Sequence, residues 1–133
     1  MTAITEMITT HPKASQSADA SELAECIEAC VECAQVCTTC ADACLSEAMV
    51  AELTACIRTN LDCADACSTA ARTLARNVAD PARARAAVEA ALAAARACAQ
   101  ECDSHADMHE HCRICADACR RCEAACERLL QTL

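Results

Sequence analysis

The chain has 133 residues, of which 16 are cysteine, and it contains no glycine, phenylalanine, tyrosine or tryptophan. This length allows one domain with its own core, and the abundance of alanine, leucine, glutamate and arginine favours helices. The net charge of −9, with no basic stretch, argues against nucleic acids and anionic membranes as partners.

The first predicted element is a short helix over residues 2–10, with two isoleucines and Met7 on one side. Pro12 ends it, because proline disfavours helical geometry at the residue before it. The polar residues that follow, 13–18, are predicted to form a linker. We therefore expect residues 1–18 to form a short helix and linker, and residues 19–133 to form a single cysteine-lined domain.

The first two long helices follow. One is predicted from a capping residue at Asp19 to about Ser46, since Asp19 with Glu22 three positions later resembles a capping box. The next is predicted to start near Ala48 and to run to about Asn77.

The third long helix has the clearest start, with Asp80 as N-cap and Pro81 at the first helical position, and runs to about Ala106. Asp107 predicts another cap, which opens a fourth helix ending near Leu130. Because the connections are short, consecutive helices should be antiparallel neighbours. The predicted fold is all-α: an up-down-up-down four-helix bundle preceded by a short N-terminal helix.

The cysteines recur at alternating spacings of four and three residues, which places them on the helix face that packs against neighbouring helices. Leucine or valine there would bury more area without redox risk, so the pattern indicates binding of soft metal ions rather than packing alone. The predicted ligands are Cys26, Cys30, Cys33, Cys37, Cys40, Cys44, Cys56, Cys63, Cys67, Cys98, Cys102, Cys112, Cys115, Cys119, Cys122 and Cys126.

The thiols are expected to be reduced and the protein cytoplasmic. Helical i, i+4 neighbours have Cβ atoms about 5–6 Å apart, whereas a disulfide needs about 3.5–4.5 Å. The N-terminus lacks the apolar and basic regions of a secretory signal. No apolar run approaches about 18 residues, so no membrane-spanning helix is predicted.

Cu(I) fits this core better than other soft ions. One monovalent cation for each proton released would keep a dry thiolate core neutral, so we expect roughly one ion per thiolate, on the order of 16 per chain. Zinc needs four converging ligands, and structural zinc sites usually place cysteine pairs on turns, which are not predicted here. Iron–sulfur clusters usually lie in loops. A zinc or iron–sulfur protein remains an alternative.

Other soft ligands gather at one end of the predicted bundle, and apolar residues gather at the other. We expect metal to enter at the first of these ends, although the same residues could be solvated ends or core filler. These candidate ligands are Met49, His105, Met108, His109 and His111. Asn60 interrupts the cysteine stripe and is expected to be a buried hydrogen-bonding residue, with carbonyl coordination of metal as the alternative.

The sequence gives little support to two other functions, thiol redox sensing and catalysis. A thiol redox sensor needs an exposed cysteine of low pKa beside a positive charge, and only Arg113 and Arg121 lie near cysteines in the last helix. Catalysis is not expected, because the sequence shows no Ser/His/Asp set and no paired carboxylates on the core stripe.

Three motifs together resemble the bacterial copper storage proteins of the cytosolic branch. They are the six-cysteine first helix, Cys-Ala-Asp-Ala-Cys at 63–67, and His-Ala-Asp-Met-His-Glu-His-Cys-Arg-Ile-Cys-Ala-Asp-Ala-Cys at 105–119. The resemblance spans essentially the whole chain. It implies a bundle filled with Cu(I), an open end with histidine and methionine, and a homotetramer. Copper chaperones or low-molecular-weight thiols are further candidate partners.

Overall fold

The structure is a computed structural model that describes residues 2–17 and 19–133. Met1 and Ala18, the first residue and the predicted boundary between linker and bundle, lie outside the described residues. Every regular element in the described ranges is helical, which confirms the all-α prediction. The helices are α1 (Ala3–Thr9), α2 (Ala20–Leu45), α3 (Thr54–Arg76), α4 (Pro81–Asp103) and α5 (Glu110–Thr132).

The four long helices form the predicted antiparallel bundle. Each packs against the next along the chain, and α2 also packs against α5, which closes the bundle. The start of α2 meets the end of α5, where the Sγ atoms of Cys26 and Cys126 are 3.8 Å apart. The end of α2 meets the start of α5, where the Sγ of Cys40 is 3.5 Å from Nδ1 of His111. These two contacts fix the opposite directions of the helices.

Two predicted helix starts are confirmed by their caps. The Asp19 carboxylate accepts a hydrogen bond from the backbone N–H of Glu22 at 3.0 Å. The Asp80 carboxylate likewise accepts from the N–H of Arg83 at 3.2 Å, and Pro81 is the first residue of α4. Each carboxylate satisfies one of the N–H groups that a helix leaves unpaired at its start.

The predicted start of α3 near Ala48 is wrong. The chain forms a 3₁₀ turn at Val50–Glu52, and α3 begins only at Thr54. Leu53 is buried just before that start, at 1% exposure. Its spacing from the next core residues matches helical periodicity, so the hydrophobic pattern continues through the connection and does not mark where the helix begins.

The connection between α4 and α5 also differs from the prediction. Helix α4 ends at Asp103 rather than near Ala106, and the N-cap of α5 is His109, not Asp107. The His109 side chain makes no capping hydrogen bond. Instead its ring is turned toward Glu47 in the connection between α2 and α3, at 2.9 Å.

The short helix α1 lies against α2. Ile8 is buried, and the hydroxyls of Thr2 and Thr5 donate hydrogen bonds to the Glu28 carboxylate on α2. Met7 lies on the same side of α1 as the isoleucines, as predicted, and it is 71% exposed. Among the described residues, none of the helices has the length and apolar character needed to cross a membrane.

Candidate metal centre

All 16 thiols are free and buried inside the bundle. Six come from α2, three from α3, two from α4 and five from α5. Fifteen have no exposed surface, and Cys40 has 2%. The helices expose alanine and charged residues outward while their 4-3 stripes turn inward, so the sequence periodicity alone builds an interior lined with sulfur.

The sulfurs form a continuous network along the bundle axis. Pairs in contact are 3.6 to 3.9 Å apart, both within a helix and between helices. Two groups at the centre each bring four sulfurs within 4.8 Å of one another, and they share two members. These groups are Cys33, Cys37, Cys63 and Cys119, and Cys37, Cys98, Cys115 and Cys119. Shared thiols of this kind can bridge neighbouring ions.

This convergence corrects one step of the sequence argument. Four thiols meet at each central group without any cysteine pair on a turn, since three helices supply them. The missing turn pairs therefore do not count against a tetrahedral ion such as zinc. The argument from charge still favours monovalent ions, because four thiolates around a divalent ion leave two negative charges in a dry core.

Asn60 is the polar interruption in this network, and it is fully buried as expected. Its Oδ1 accepts hydrogen bonds from the thiols of Cys98 at 3.0 Å and Cys115 at 3.1 Å. Its Nδ2 donates to the sulfur of Cys56 at 3.6 Å. The amide thus links thiols of three helices.

One end of the bundle, here called the leucine end, is filled by apolar side chains. Leu23, Leu74, Val88 and Leu129 are each at most 2% exposed there. The contact between Cys26 and Cys126 is the last sulfur pair before them along these two helices. This placement agrees with the sequence-based expectation of an apolar end.

The other end, called the histidine end, carries His105, His109 and His111 in and after the connection between α4 and α5. His111 contacts the thiols directly: its Nδ1 is 3.5 Å from the Sγ of Cys40 and 3.6 Å from that of Cys112. These three residues and Cys44 form a group whose ligand atoms lie within 4.8 Å of one another. His111 is 26% exposed, so this group lies where the core meets the surface.

The other predicted ligands at this end are placed less closely. His105 pairs with Glu101 one turn earlier, with Nε2 3.3 Å from the carboxylate. His109 is 6% exposed, and its ring stacks on that of His111 with centroids 5.4 Å apart. Met49 is half-buried against the core, whereas Met108 is 66% exposed, so its predicted position on the core stripe is wrong.

Glu47 is the residue at this end that the sequence analysis missed. It lies in the connection between α2 and α3, and its carboxylate is 2.9 Å from Nδ1 of His109 and 3.8 Å from Nε2 of His111. Its position three residues after Cys44 was a weak signal, because an acidic side chain is unremarkable in a chain of net charge −9.

Burial favours the protonated form of Cys44 and Cys112 in the metal-free protein. Desolvation, followed by repulsion from the neighbouring Cys40 sulfur when that sulfur is ionised, raises the pKa of Cys44 from 9.0 to about 11. The same two causes raise the pKa of Cys112. A metal ion that binds these sulfurs as thiolates must therefore displace protons.

A helical bundle lined by thiols, apolar at one end and bearing imidazoles at the other, defines a class: a container for soft metal ions. The sequence model of the copper storage proteins matches residues 19–131. The chain belongs to the copper storage protein family.

Several solved structures are similar to the chain. One is the copper storage protein Ccsp of Streptomyces lividans loaded with 10 copper equivalents, with 49% identity, a TM-score of 0.94 and coverage of 98% of this chain and 100% of that one. A second, the cytosolic copper storage protein of Streptomyces lividans with five coppers, has 55% identity, a TM-score of 0.82 and coverage of 84% and 94%.

A more distant match is the Cu(I)-bound copper storage protein BsCsp3. It has 32% identity and a TM-score of 0.72, and the alignment covers 79% of this chain and 94% of that one. Among curated proteins, none matches the sequence significantly.

Proposed function

We propose that this protein stores and buffers Cu(I) in the cytosol, holding many ions on the thiolates of its core. The observation that carries the proposal is the unbroken network of 16 buried, free thiols. Similarity to proteins described as copper storage proteins, one of them cytosolic, supports both the cargo and the compartment.

The sulfur geometry suits Cu(I). With metal–sulfur bonds of about 2.3 Å, three sulfurs around a trigonal ion are roughly 4.0 Å apart, and two on a linear ion are roughly 4.5 Å apart. The observed contacts of 3.6 to 3.9 Å need only small rotamer changes to reach either arrangement. One monovalent ion per displaced proton also leaves the core neutral.

The proposed ligands are the 16 cysteines, joined at the histidine end by Nδ1 of His111. Incoming ions would meet His105, His109, Met49 and Met108 near the surface before they reach the thiolates, which hold Cu(I) more tightly because they are softer and charged. Asn60 acts as a hydrogen-bond acceptor in the metal-free core, and its carbonyl oxygen is a further candidate ligand.

Titration of the reduced, metal-free protein with Cu(I), against a competing chelator, tests this function. We expect the break near one ion per thiol, on the order of 16 per chain, with about one proton released per ion. Zinc is the second candidate cargo, because the two central four-sulfur groups offer converging ligands. A break at four ions or fewer, with zinc bound more tightly than Cu(I), would replace the copper proposal by a zinc one.

Storage needs no catalytic group, and we propose that the protein is not an enzyme. A redox-sensing role is disfavoured because the thiols are buried rather than exposed beside positive charge. Cu(I) would be exchanged with copper chaperones or low-molecular-weight thiols at the histidine end. Neither nucleic acid nor a membrane is proposed as a partner.

We further propose a homotetramer, which family resemblance implies. Exposed apolar side chains on the outer helix faces support self-association: Val31, Leu61 and Ile114 are 46%, 48% and 46% exposed. Size-exclusion chromatography with light scattering should give four times the 14.0 kDa mass of one chain. The mass of a single chain at micromolar concentration would contradict the tetramer without affecting copper storage.

A further inference from the structure

Glu47 joins the two chain connections that meet at the histidine end. Its backbone N–H donates to the carbonyl of Cys44 at 3.2 Å, which places it one turn beyond the last cysteine of α2. From there its carboxylate crosses to the connection between α4 and α5, where it lies 2.9 Å from Nδ1 of His109. No other carboxylate within residues 2–17 and 19–133 forms an ion pair with that ring.

The first contact bears on the proton of His109. A carboxylate oxygen only accepts hydrogen bonds, so the 2.9 Å distance favours a proton on the Nδ1 of His109. The ring is 6% exposed and stacked on His111, so it has little room to turn over.

The second contact concerns His111, whose two nitrogens have different surroundings. Nδ1 faces the sulfurs of Cys40 and Cys112. Nε2 is buried and has no hydrogen-bond partner among the described residues, and the nearest acceptor on the Glu47 side is the second carboxylate oxygen at 3.8 Å. A small closing movement would turn this contact into a hydrogen bond. It would also remove the cost of a buried unpaired nitrogen.

We propose that Glu47 is a positioning residue for capture of the first metal ions: its carboxylate holds His111 with the proton on Nε2 and the Nδ1 lone pair directed at the thiols of Cys40, Cys44 and Cys112. The inference rests on the proposed Cu(I) storage function. Carboxylates that bind the far nitrogen of a metal-binding histidine commonly fix its tautomer and raise its basicity. Without Glu47, the proton of His111 could move to Nδ1 and point at sulfur. Nδ1 would then have no lone pair to offer to the ion.

The test compares Glu47→Ala and Glu47→Gln with the matched control Glu52→Gln. Glu52 is an exposed carboxylate in the same connection, so its change removes the same charge. Stopped-flow mixing with a Cu(I)–chelator complex, at about one equivalent per chain, measures capture of the first ion. We expect capture by Glu47→Ala to be about tenfold slower, a smaller effect in Glu47→Gln, and wild-type behaviour in Glu52→Gln.

Two readouts separate positioning from a general structural effect. Long-range ¹H–¹⁵N spectra of the metal-free protein report which nitrogen of each histidine carries the proton. We expect His111 to be protonated on Nε2 in the wild type and to populate both tautomers in Glu47→Ala. We also expect Glu47→Ala to add no further slowing to a His109→Ala/His111→Ala variant, because Glu47 acts through those rings.

The outcomes remain distinguishable from failure of the storage function. Total Cu(I) capacity should be nearly unchanged in Glu47→Ala, since the core thiols are intact. If the wild type itself binds few Cu(I) ions, storage is wrong. If the wild type fills with Cu(I) while Glu47→Ala captures at the wild-type rate, or keeps the wild-type tautomers, the positioning role is wrong. Equal slowing in Glu52→Gln would show that the slower capture comes only from the loss of surface charge, and it would also overturn the positioning role of Glu47.

Discussion

At the scale of single residues, Asn60 has the most unusual surroundings in the chain. It is a fully buried amide whose hydrogen-bond partners are thiols of α3, α4 and α5. Thiols are weak donors, so several of them together replace the water that the amide has lost. The residue therefore orders the metal-free core at the point where the cysteine stripe of α3 is interrupted.

Replacing Asn60 by alanine should destabilise the reduced, metal-free protein by about 1–3 kcal/mol. The change removes acceptors for buried S–H groups and leaves a cavity. Urea unfolding followed by circular dichroism measures the loss. Gln35→Ala, at an exposed amide on α2, should lie within about 0.5 kcal/mol of wild type. Equal stability of the two variants would show that the amide contributes nothing to the core.

The sequence predicts the core residues of the site better than those at its rim. Burial of every cysteine follows from spacing, because one helix face must turn inward. Spacing does not predict which histidine contacts the thiols: His111 does, while His105 pairs with Glu101. Glu47 could not be predicted at all, since its contact with His109 joins two connections far apart in the chain.

At the scale of helices, the two ends of the bundle have different chemistry because different connections meet there. The links from α2 to α3 and from α4 to α5 bring imidazoles and a carboxylate next to Cys40, Cys44 and Cys112. The link from α3 to α4 meets the start of α2 and the end of α5, where leucine and valine fill the interior. Antiparallel topology alone thus separates a polar end from an apolar one.

If metal enters at the histidine end, replacing His109 and His111 together by alanine should slow Cu(I) loading and unloading by about tenfold or more. Total capacity should hardly change. Stopped-flow loading from a Cu(I)–chelator complex measures the rates. Leu129→Ala, at the leucine end, should lose about 2–5 kcal/mol of metal-free stability while keeping the wild-type loading rate. The reverse pattern, in which Leu129→Ala changes the rate and the double variant does not, would show that metal enters at the leucine end instead.

Helix boundaries were predictable where a capping side chain marks them. Asp19 and Asp80 each bind a backbone N–H, and both starts were placed correctly. The starts of α3 and α5 carry no side-chain cap, and both predictions were wrong. At α5 the N-cap residue His109 turns its side chain to Glu47 instead, a contact between distant parts of the chain that overrides local pattern.

At the scale of the whole molecule, we expect the core to hold together without metal. The helices pack through thiols, alanines and leucines that are almost entirely buried. Neutral thiols behave as small hydrophobic groups, and alanine-rich helices need little further support. Such behaviour would distinguish the protein from zinc fingers, in which the metal supplies the folding free energy.

The reduced, metal-free protein should therefore show strong helical circular dichroism at neutral pH, and its stability should fall in alkali. The pKa of Cys44 is raised from 9.0 to about 11, so the folded state holds this proton more tightly than the unfolded chain. The resulting stabilisation is complete below pH 9 and is lost as pH rises through about 11. Urea unfolding between pH 7 and 11 measures it. A disordered metal-free chain, or constant stability up to pH 11, would contradict this expectation.

The apolar filling of the leucine end determines the order in which stored ions can leave the bundle. Leu23, Leu74 and Leu129 fill the interior at that end, and their side chains offer no metal ligand by which an ion could pass outward. An ion that arrives through the histidine end must also depart through it, and it must do so before the ions that lie deeper can follow. The bundle would then behave as a stack, in which the last copper to arrive is the first to be withdrawn and the oldest copper stays longest near Cys26 and Cys126.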